Sequence, residues 1–530
     1  MIANASFRRK VIYGLLIAVL LIPLYLISRP AVRSNGQLTK GGILAQLRTD
    51  HGLSQADLGE IDPASESMKL ATLGMRGIAA NLLWERANRY KREQDWDNLT
   101  ATLNQISKLQ PNFISVWQYQ GWNLAYNVSV EFDDYRSRYL WVKRGINLLR
   151  EGMRYNPQEP MLTWELGWTF GHKLGRADEY VQYRRLYRED RPFHEELQTS
   201  IPMDQTLGPD GKPDNWLTGR QWFLRGEQLV NKGIPIRGRL VDPSDRVRRG
   251  KSHLLFFSQA PKWLISHAVA IEEEGHLDEA AQVAWMKAGA DWVKYGLSPI
   301  PTTYGFREPI RLEDMERVER EAEELGLQLD KLLPNVRAEI ENEKKAALDP
   351  AEREAMEMPA AERTEEQRML ALAAERKSRA RYPEVAERAP PELKREVDKI
   401  VKLGEEKRAI ADAIYNYRDQ VNYSYWKLRC EVEQTKDAID GRKLVWEAKQ
   451  AAEETRLEEA KQKYEAAWDR WATIFAEYPE MMEDTTAEDL VADIRNYAWV
   501  LSQLEIAFPP PDFKLTKLVE LHPEEMRGEE

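Results

Sequence analysis

IAANLLWERANRYKREQDWDNLTATLNQISKLQP, residues 78–111, decides how the chain is read. On a helix, side chains three and four residues apart share one face. Ala79, Leu83, Ala87 and Tyr90 do so, and after the polar break Gln94-Asp95 so do Leu99, Leu103, Ile106 and Leu109. The stretch therefore predicts two amphipathic helices joined by a tight turn. Pro111 ends the second, because its ring clashes with the preceding turn and it lacks an amide hydrogen.

Outward from there the pattern repeats. Trp117, Gly121, Leu124 and Val128 mark one helix, and Tyr139, Val142, Ile146, Leu149 and Met153 the next, closed by Asn156-Pro157. A third pair follows on Leu162, Leu166, Phe170 and Leu174, then Tyr180, Tyr183 and Tyr187. Counting back from Pro111, these residues resemble the tetratricopeptide repeat, a 34-residue helix-turn-helix unit. Tyr90, Trp96 and Ala87 fall on its Tyr, turn-aromatic and small positions, and Gly121 on its Gly. Pro111 and Pro157 stand 46 residues apart, so the second unit carries extra residues around Glu131 to Arg138. Further matches are the turn Gly275 to Ala280, preceded by Trp263, His267 and Ile271, and the run Leu457, Ala460, Tyr464, Ala467 up to Tyr478-Pro479. The resemblance implies an all-α chain, a degenerate right-handed helical-hairpin solenoid with a concave face that binds other proteins or peptides. The chain is similar to bacterial membrane-anchored proteins of this repeat class.

A net charge of −11 argues against nucleic acid, whose phosphates need a basic surface. The single cysteine, Cys430, excludes an internal disulfide and a multi-cysteine metal site, and reads as a packed small residue. From Val11 to Ser28 runs an uncharged apolar stretch behind Arg8-Arg9-Lys10. It is long enough to cross most of a hydrocarbon core. Arg29-Pro30 follows where a cleaved signal peptide needs small residues, which favours an uncleaved signal anchor. The cations before it place residues 1–10 in the cytoplasm and the bulk of the chain outside it, as in a single-pass periplasmic protein of the cell inner membrane.

Beyond this transmembrane helix (11–28), residues 29–67 read as a tether, 68–190 as repeats, and 191–261 as a loop-rich insertion rich in Gly and Pro. Residues 262–334 read as a helical pair and a capping helix whose apolar residues, Met315 to Leu332, follow a coiled-coil period. Residues 335–391 carry 13 acidic and 11 basic residues with one aromatic, Tyr382, and predict a solvated, partly helical linker between two bodies. Three long stripes within 392–508, on Ile410 to Val432, Ala460 to Tyr478 and Leu490 to Leu504, predict a long-helix bundle. Residues 509–530 read as an acidic tail outside the fold.

The chemistry-bearing motifs are sparse. Gly250-Lys251-Ser252 ends like a phosphate loop, but Asp245 stands where that loop needs glycine. Seven histidines show no metal spacing, with His267 read as packed in its helix pair, and Cys430 has no activating neighbour. We therefore expect no enzyme, cofactor or metal; the alternatives are an envelope hydrolase using carboxylates of 191–261 or a purely structural tether. Twelve of seventeen tryptophans lie between Trp84 and Trp292. They serve either as wedges between helices or as the lining of a groove. Trp122 and Trp168, one residue beyond Gly121 and Gly167, are the groove candidates, with Trp222 and the cations Arg246, Arg248, Arg249 and Lys251 of the insertion.

Overall fold

A computed structural model describes residues 76–236 and 252–527, apart from 110, 178, 302–305, 307, 360–362 and 484, together with scattered positions between 12 and 47. The chain is all-α. Among the described residues the strand content is one two-residue ribbon, Arg33–Ser34 against Gln37–Leu38, and two isolated bridges. No described helix is long and apolar enough to cross a membrane. Within 11–28 the described positions are helical, and the nine large apolar side chains among them are 40 to 67% exposed.

The chain divides into two units, Met1–Ala270 and Ile271–Glu530. In the first, α1 (Arg76–Arg92) and α2 (Trp96–Leu109) form the hairpin expected at residues 78–111, with Gln94 at positive φ in the turn. Leu99, Leu103, Ile106 and Leu109 are all buried. The second hairpin is α3 (Ile114–Trp122) and α4 (Tyr135–Tyr155). Beyond Trp122, α3 widens into a π-helical turn, Asn123–Val128, and tightens into a 3₁₀ turn, Ser129–Glu131, which lengthens this hairpin relative to the first. Close approach is bought by glycine: a Cβ on Gly145 of α4 would stand 2.6 Å from the carbonyl of Gly121 on α3. Asp134 caps α4 by accepting from the Ser137 amide, and at its far end the Asn156 side chain donates to the carbonyls of Gly152 (2.9 Å) and Pro111 (2.7 Å). The chain ends at both prolines are thus stitched together.

α5 (Pro160–Trp168) likewise runs into a π-helical turn, Thr169–Lys173, followed by α6 (Tyr180–Glu189) and α7 (Arg191–Gln198). The stretch 191–261 is less loop-like than its Gly and Pro content predicts. It holds α7, α8 (Asn215–Asn231) and α9 (His253–Phe257), and α8 lies along α5 through the glycine pair Gly167 and Gly219. α10 (Gln259–Glu273) then crosses the division between units.

In the second unit Gly275, at φ +84, reverses the chain between α10 and α11 (Glu279–Leu297), as the expected turn requires. α12 (Met315–Leu332) packs on α17 (Lys394–Val421). Between them the stretch predicted as a solvated, partly helical linker holds four helices, α13 (Val336–Ala346), α14 (Pro350–Glu357), α15 (Glu365–Ser378) and α16 (Tyr382–Glu387), and they are packed rather than solvated on all sides. Composition misled here because local bonds supply what apolar area does not. Thr364 and Gln367 cap α15 reciprocally, Lys344 pairs with Glu384 at 2.6 Å, and Arg388 with Glu343. Tyr382, 1% exposed, joins Leu329, Ile340, Val385 and Val397 in a small core, and its hydroxyl donates to the carbonyl of Ala322 at 2.6 Å.

α18 (Tyr423–Glu433), α19 (Lys436–Glu453), α20 (Leu457–Glu477) and α21 (Thr485–Gln503) bury the second and third long stripes against one another, whereas the first is broken at Asn422, its Ile410 and Ile414 packing instead with Val318 of α12 and only its end, Val432, reaching this core. The tail expected to lie outside the fold contributes α22 (Thr516–Leu521) and α23 (Pro523–Arg527). Leu515 and Leu518 are buried in the same core, and His522 donates to the carbonyl of Met482 at 2.6 Å. An acidic average concealed these two leucines.

Candidate functional site

In the first unit the first helices of successive hairpins, α1, α3 and α5, set their aromatic residues in one row. Trp84, Tyr119, Trp122, Tyr126, His172 and Trp168 follow one another with ring centroids 4.9 to 6.2 Å apart. Trp168 then stacks on Trp164 and on Trp263 of α10. Tyr119 is 41% and Trp122 44% exposed, whereas Trp168 is half-buried and Trp164 and Trp263 are buried. The row is therefore anchored in the core at Trp164 and Trp263 and most open to solvent at Tyr119 and Trp122, with half-buried Trp84 beyond them.

Polar groups line the same row. Lys91 donates to the Asn123 side chain at 3.2 Å, as does Asn127 at 3.0 Å. The Lys173 ammonium stands over the rings of Tyr126 and Tyr183, and the Arg176 guanidinium over Trp216 and Trp263. Tyr126 and His172, one from each π-helical turn, are hydrogen-bonded at 3.2 Å. Burial, then Arg176 and Lys173, push the His172 imidazole below its ordinary range, while burial and then Glu165 push the Tyr126 phenol up.

Two buried charge clusters lie elsewhere. Asp214, fully buried in the 191–261 stretch, caps α8 by accepting from the amides of Trp216 and Leu217. Arg184 (3.3 Å), Arg188 (3.5 Å) and His267 (3.2 Å) surround it. Burial raises its carboxyl, but His267 and the two arginines outweigh that and hold it below the usual carboxylate range. Both carboxylate oxygens are engaged by groups that build the fold, which leaves this carboxylate poorly placed to act as a base.

In the second unit Arg442 of α19 holds Glu433 of α18 through two nitrogens, one at 3.0 Å, and approaches Glu272 at 3.8 Å. Arg429 adds contacts to Glu433 (3.6 Å) and Asp489 (3.2 Å), and Trp285 donates to Glu272 at 2.8 Å. Glu433 is wholly buried. Burial, and after it the neighbouring Glu433, push Glu272 up to about 8, against the opposing pull of Arg442. A carboxyl raised on folding stays protonated where the unfolded chain has already ionised. Stability contributed this way is present below about 4.5 and lost as pH rises toward 8. Urea midpoints between pH 5 and 8.5 should therefore fall for the parent chain and fall less for E272Q, which keeps an acceptor for Trp285. Parallel slopes would refute the assignment.

Of the residues singled out from sequence, Trp122 and Trp168 belong to the ring row. Trp222 does not: it is 1% exposed in the core, because α8 is buried on several sides, with Trp216, Gly219 and Phe223 also covered. Arg246, Arg248, Arg249 and Lys251 lie outside the described residues. Ala87, Pro111, Trp117, Gly121, Ala460, Tyr464 and Ala467 are buried, Tyr90, Trp96, Gly275 and Ala280 half-buried, and Pro157 exposed just past the end of α4. Cys430 is buried and its thiol pushed up to about 12 by that burial, far from thiolate chemistry at neutral pH. Tyr119, Tyr126 and His172 were not singled out in the sequence, and neither were Glu272, Glu433, Arg429 and Arg442. Among the described residues no group of three or more His, Cys, Asp or Glu is placed to hold a metal ion. No protein-family model matches this chain, and no curated protein matches it.

Proposed function

We propose that this chain is a membrane-tethered scaffold of stacked helical hairpins, similar to tetratricopeptide solenoids, that holds other proteins outside the cytoplasm along the ring row of its first unit. The observation that carries the reading is the graded exposure of that row, from buried Trp164 and Trp263 to Tyr119 and Trp122. Rigid rings fixed at one end and open at the other grip a partner at small entropic cost. The exposed apolar side chains between Ile12 and Ile27, next to Arg8-Arg9-Lys10, support the anchor.

The test places a photo-crosslinking residue at position 122, and separately at Leu140, an exposed apolar residue of α4 outside the row, in full-length protein within native membranes. A species captured from 122, not from 140, and lost in the W168A background is expected. The same species from both positions would remove the docking reading.

A further inference from the structure

We propose that the outward face of α11 is a second docking surface, independent of the ring row, which receives an amphipathic helix of a partner protein that carries acidic residues beside its apolar seam.

One side of α11 is covered by its own unit: Ala281, Trp285, Ala288, Trp292 and Tyr295 are buried. The opposite side of a surface helix is ordinarily polar. Here it carries Val283, Met286, Ala290, Val293 and Leu297. They alternate by threes and fours over about 21 Å of helix, the repeat of a coiled-coil seam. Val283 is 38%, Met286 52% and Leu297 54% exposed, Ala290 is exposed and Val293 half-buried. A helix that is apolar on every side is ordinarily enclosed, and a continuous apolar strip left in water marks a surface that another molecule covers.

The two flanks of the seam differ. Along one, α18 runs antiparallel to α11: Gln282 donates to the Gln434 carbonyl at 3.1 Å, a Cβ on Gly289 would stand 3.2 Å from Cys430, and Gly296 abuts Tyr423. The other flank holds Lys287 and Lys294, both exposed and without an ion-pair partner among the described residues. Asp291, the acid between them, is half-buried and already engaged, and exposed Glu279 lies one turn before the seam begins. Residues 271–530 hold 60 acidic and 39 basic residues, so a flank whose free charges are both cations runs against the composition around it. Helical seams select their partners through the charges beside them. A helix with carboxylates in those places meets both lysines, whereas a second copy of α11 laid antiparallel across Ala290 sets lysine against lysine.

Two synthetic three-heptad helices with leucine seams, one flanked by glutamate and the other by lysine, serve as fluorescent probes. Each is mixed with full-length protein in phosphatidylcholine nanodiscs and followed by anisotropy. The glutamate-flanked helix should bind about tenfold tighter than the lysine-flanked one, or more. M286E should abolish that binding while thermal unfolding stays that of the parent, since the side chain faces solvent. K287E/K294E should reverse the preference between the two probes. Absent or equal binding of the probes, binding that survives M286E, or a preference that survives the charge reversal overturns the proposal. So does a dimer of the full-length protein in detergent that M286E dissociates, because the occupant is then a second copy of this chain.

Discussion

Replacing Arg442 with leucine is expected to cost the second unit about 3–5 kcal/mol, the typical penalty for stripping a buried ion of its counter-charge. Glu433 would keep only the more distant Arg429 as a partner, at 3.6 Å, with no exposure to water. The double variant R442L/E433L removes the stranded charge together with its partner, and apolar replacements of a buried pair are often neutral. It should therefore recover much of the loss. Urea unfolding of the parent, R442L, E433L and the double variant checks this: a double variant as unstable as the sum of the two singles would show that the pair is not coupled. The Arg442 guanidinium also stands over the Trp471 ring, 5.1 Å from its centre, a contact that both variants lose equally.

Trp117→Ala carries the largest expected effect in the first unit, about 3–5 kcal/mol for an emptied aromatic site that cannot collapse. The ring is wholly buried, stacked on Tyr155 at 5.8 Å, and its indole donates to the Pro111 carbonyl at 2.8 Å. Gly152 leaves room for it, since a Cβ there would stand 2.8 Å from the ring. Should the alanine variant fail to accumulate, W117F gives the same answer at lower cost. It keeps an aromatic ring at this site, drops the bond to Pro111, whose carbonyl still accepts from Asn156, and should lose about 1–2 kcal/mol for the missing bond and area. Thermal unfolding of both variants within error of the parent would show that this tryptophan does not hold the hairpin.

The helical class was legible because spacing by threes and fours survives any sequence divergence that keeps a buried face: Leu99, Leu103, Ile106 and Leu109 were read as a stripe and are buried as one. What failed was inference from averages. The charged stretch 335–391 folds because its acids and bases are placed to cap and pair, and because Tyr382 finds a socket, none of which a count of charges reveals. Trp222 was misplaced for a related reason: a helix covered on several sides shows no clean face, so an aromatic on it looks free. The ring row was half visible. Trp122 and Trp168 follow glycines that mark close helix approach, but Tyr126 meets His172 only because two π-helical turns rotate them together, and sequence carries no sign of such a turn. The cluster around Arg442 stayed hidden because charged residues on helices are usually solvated; a clue was available in Arg429 and Glu433 interleaved with buried Cys430 and Val432.

Gly326 on α12 and Gly404 on α17 both stand against Tyr382, each so near that a Cβ would be 3.0 Å from it, while the Arg408 guanidinium closes the other side at 3.7 Å from the ring centre. α13 to α16 thus form an excursion that leaves from one member of a helix pair and re-enters at the other, held to it by the Tyr382 ring together with Ile340 and Val385. Such an excursion can be exchanged for a foreign one without rethreading the pair. Any graft of that kind has to bring its own key, because two glycines cut to fit a ring would otherwise face an empty keyhole.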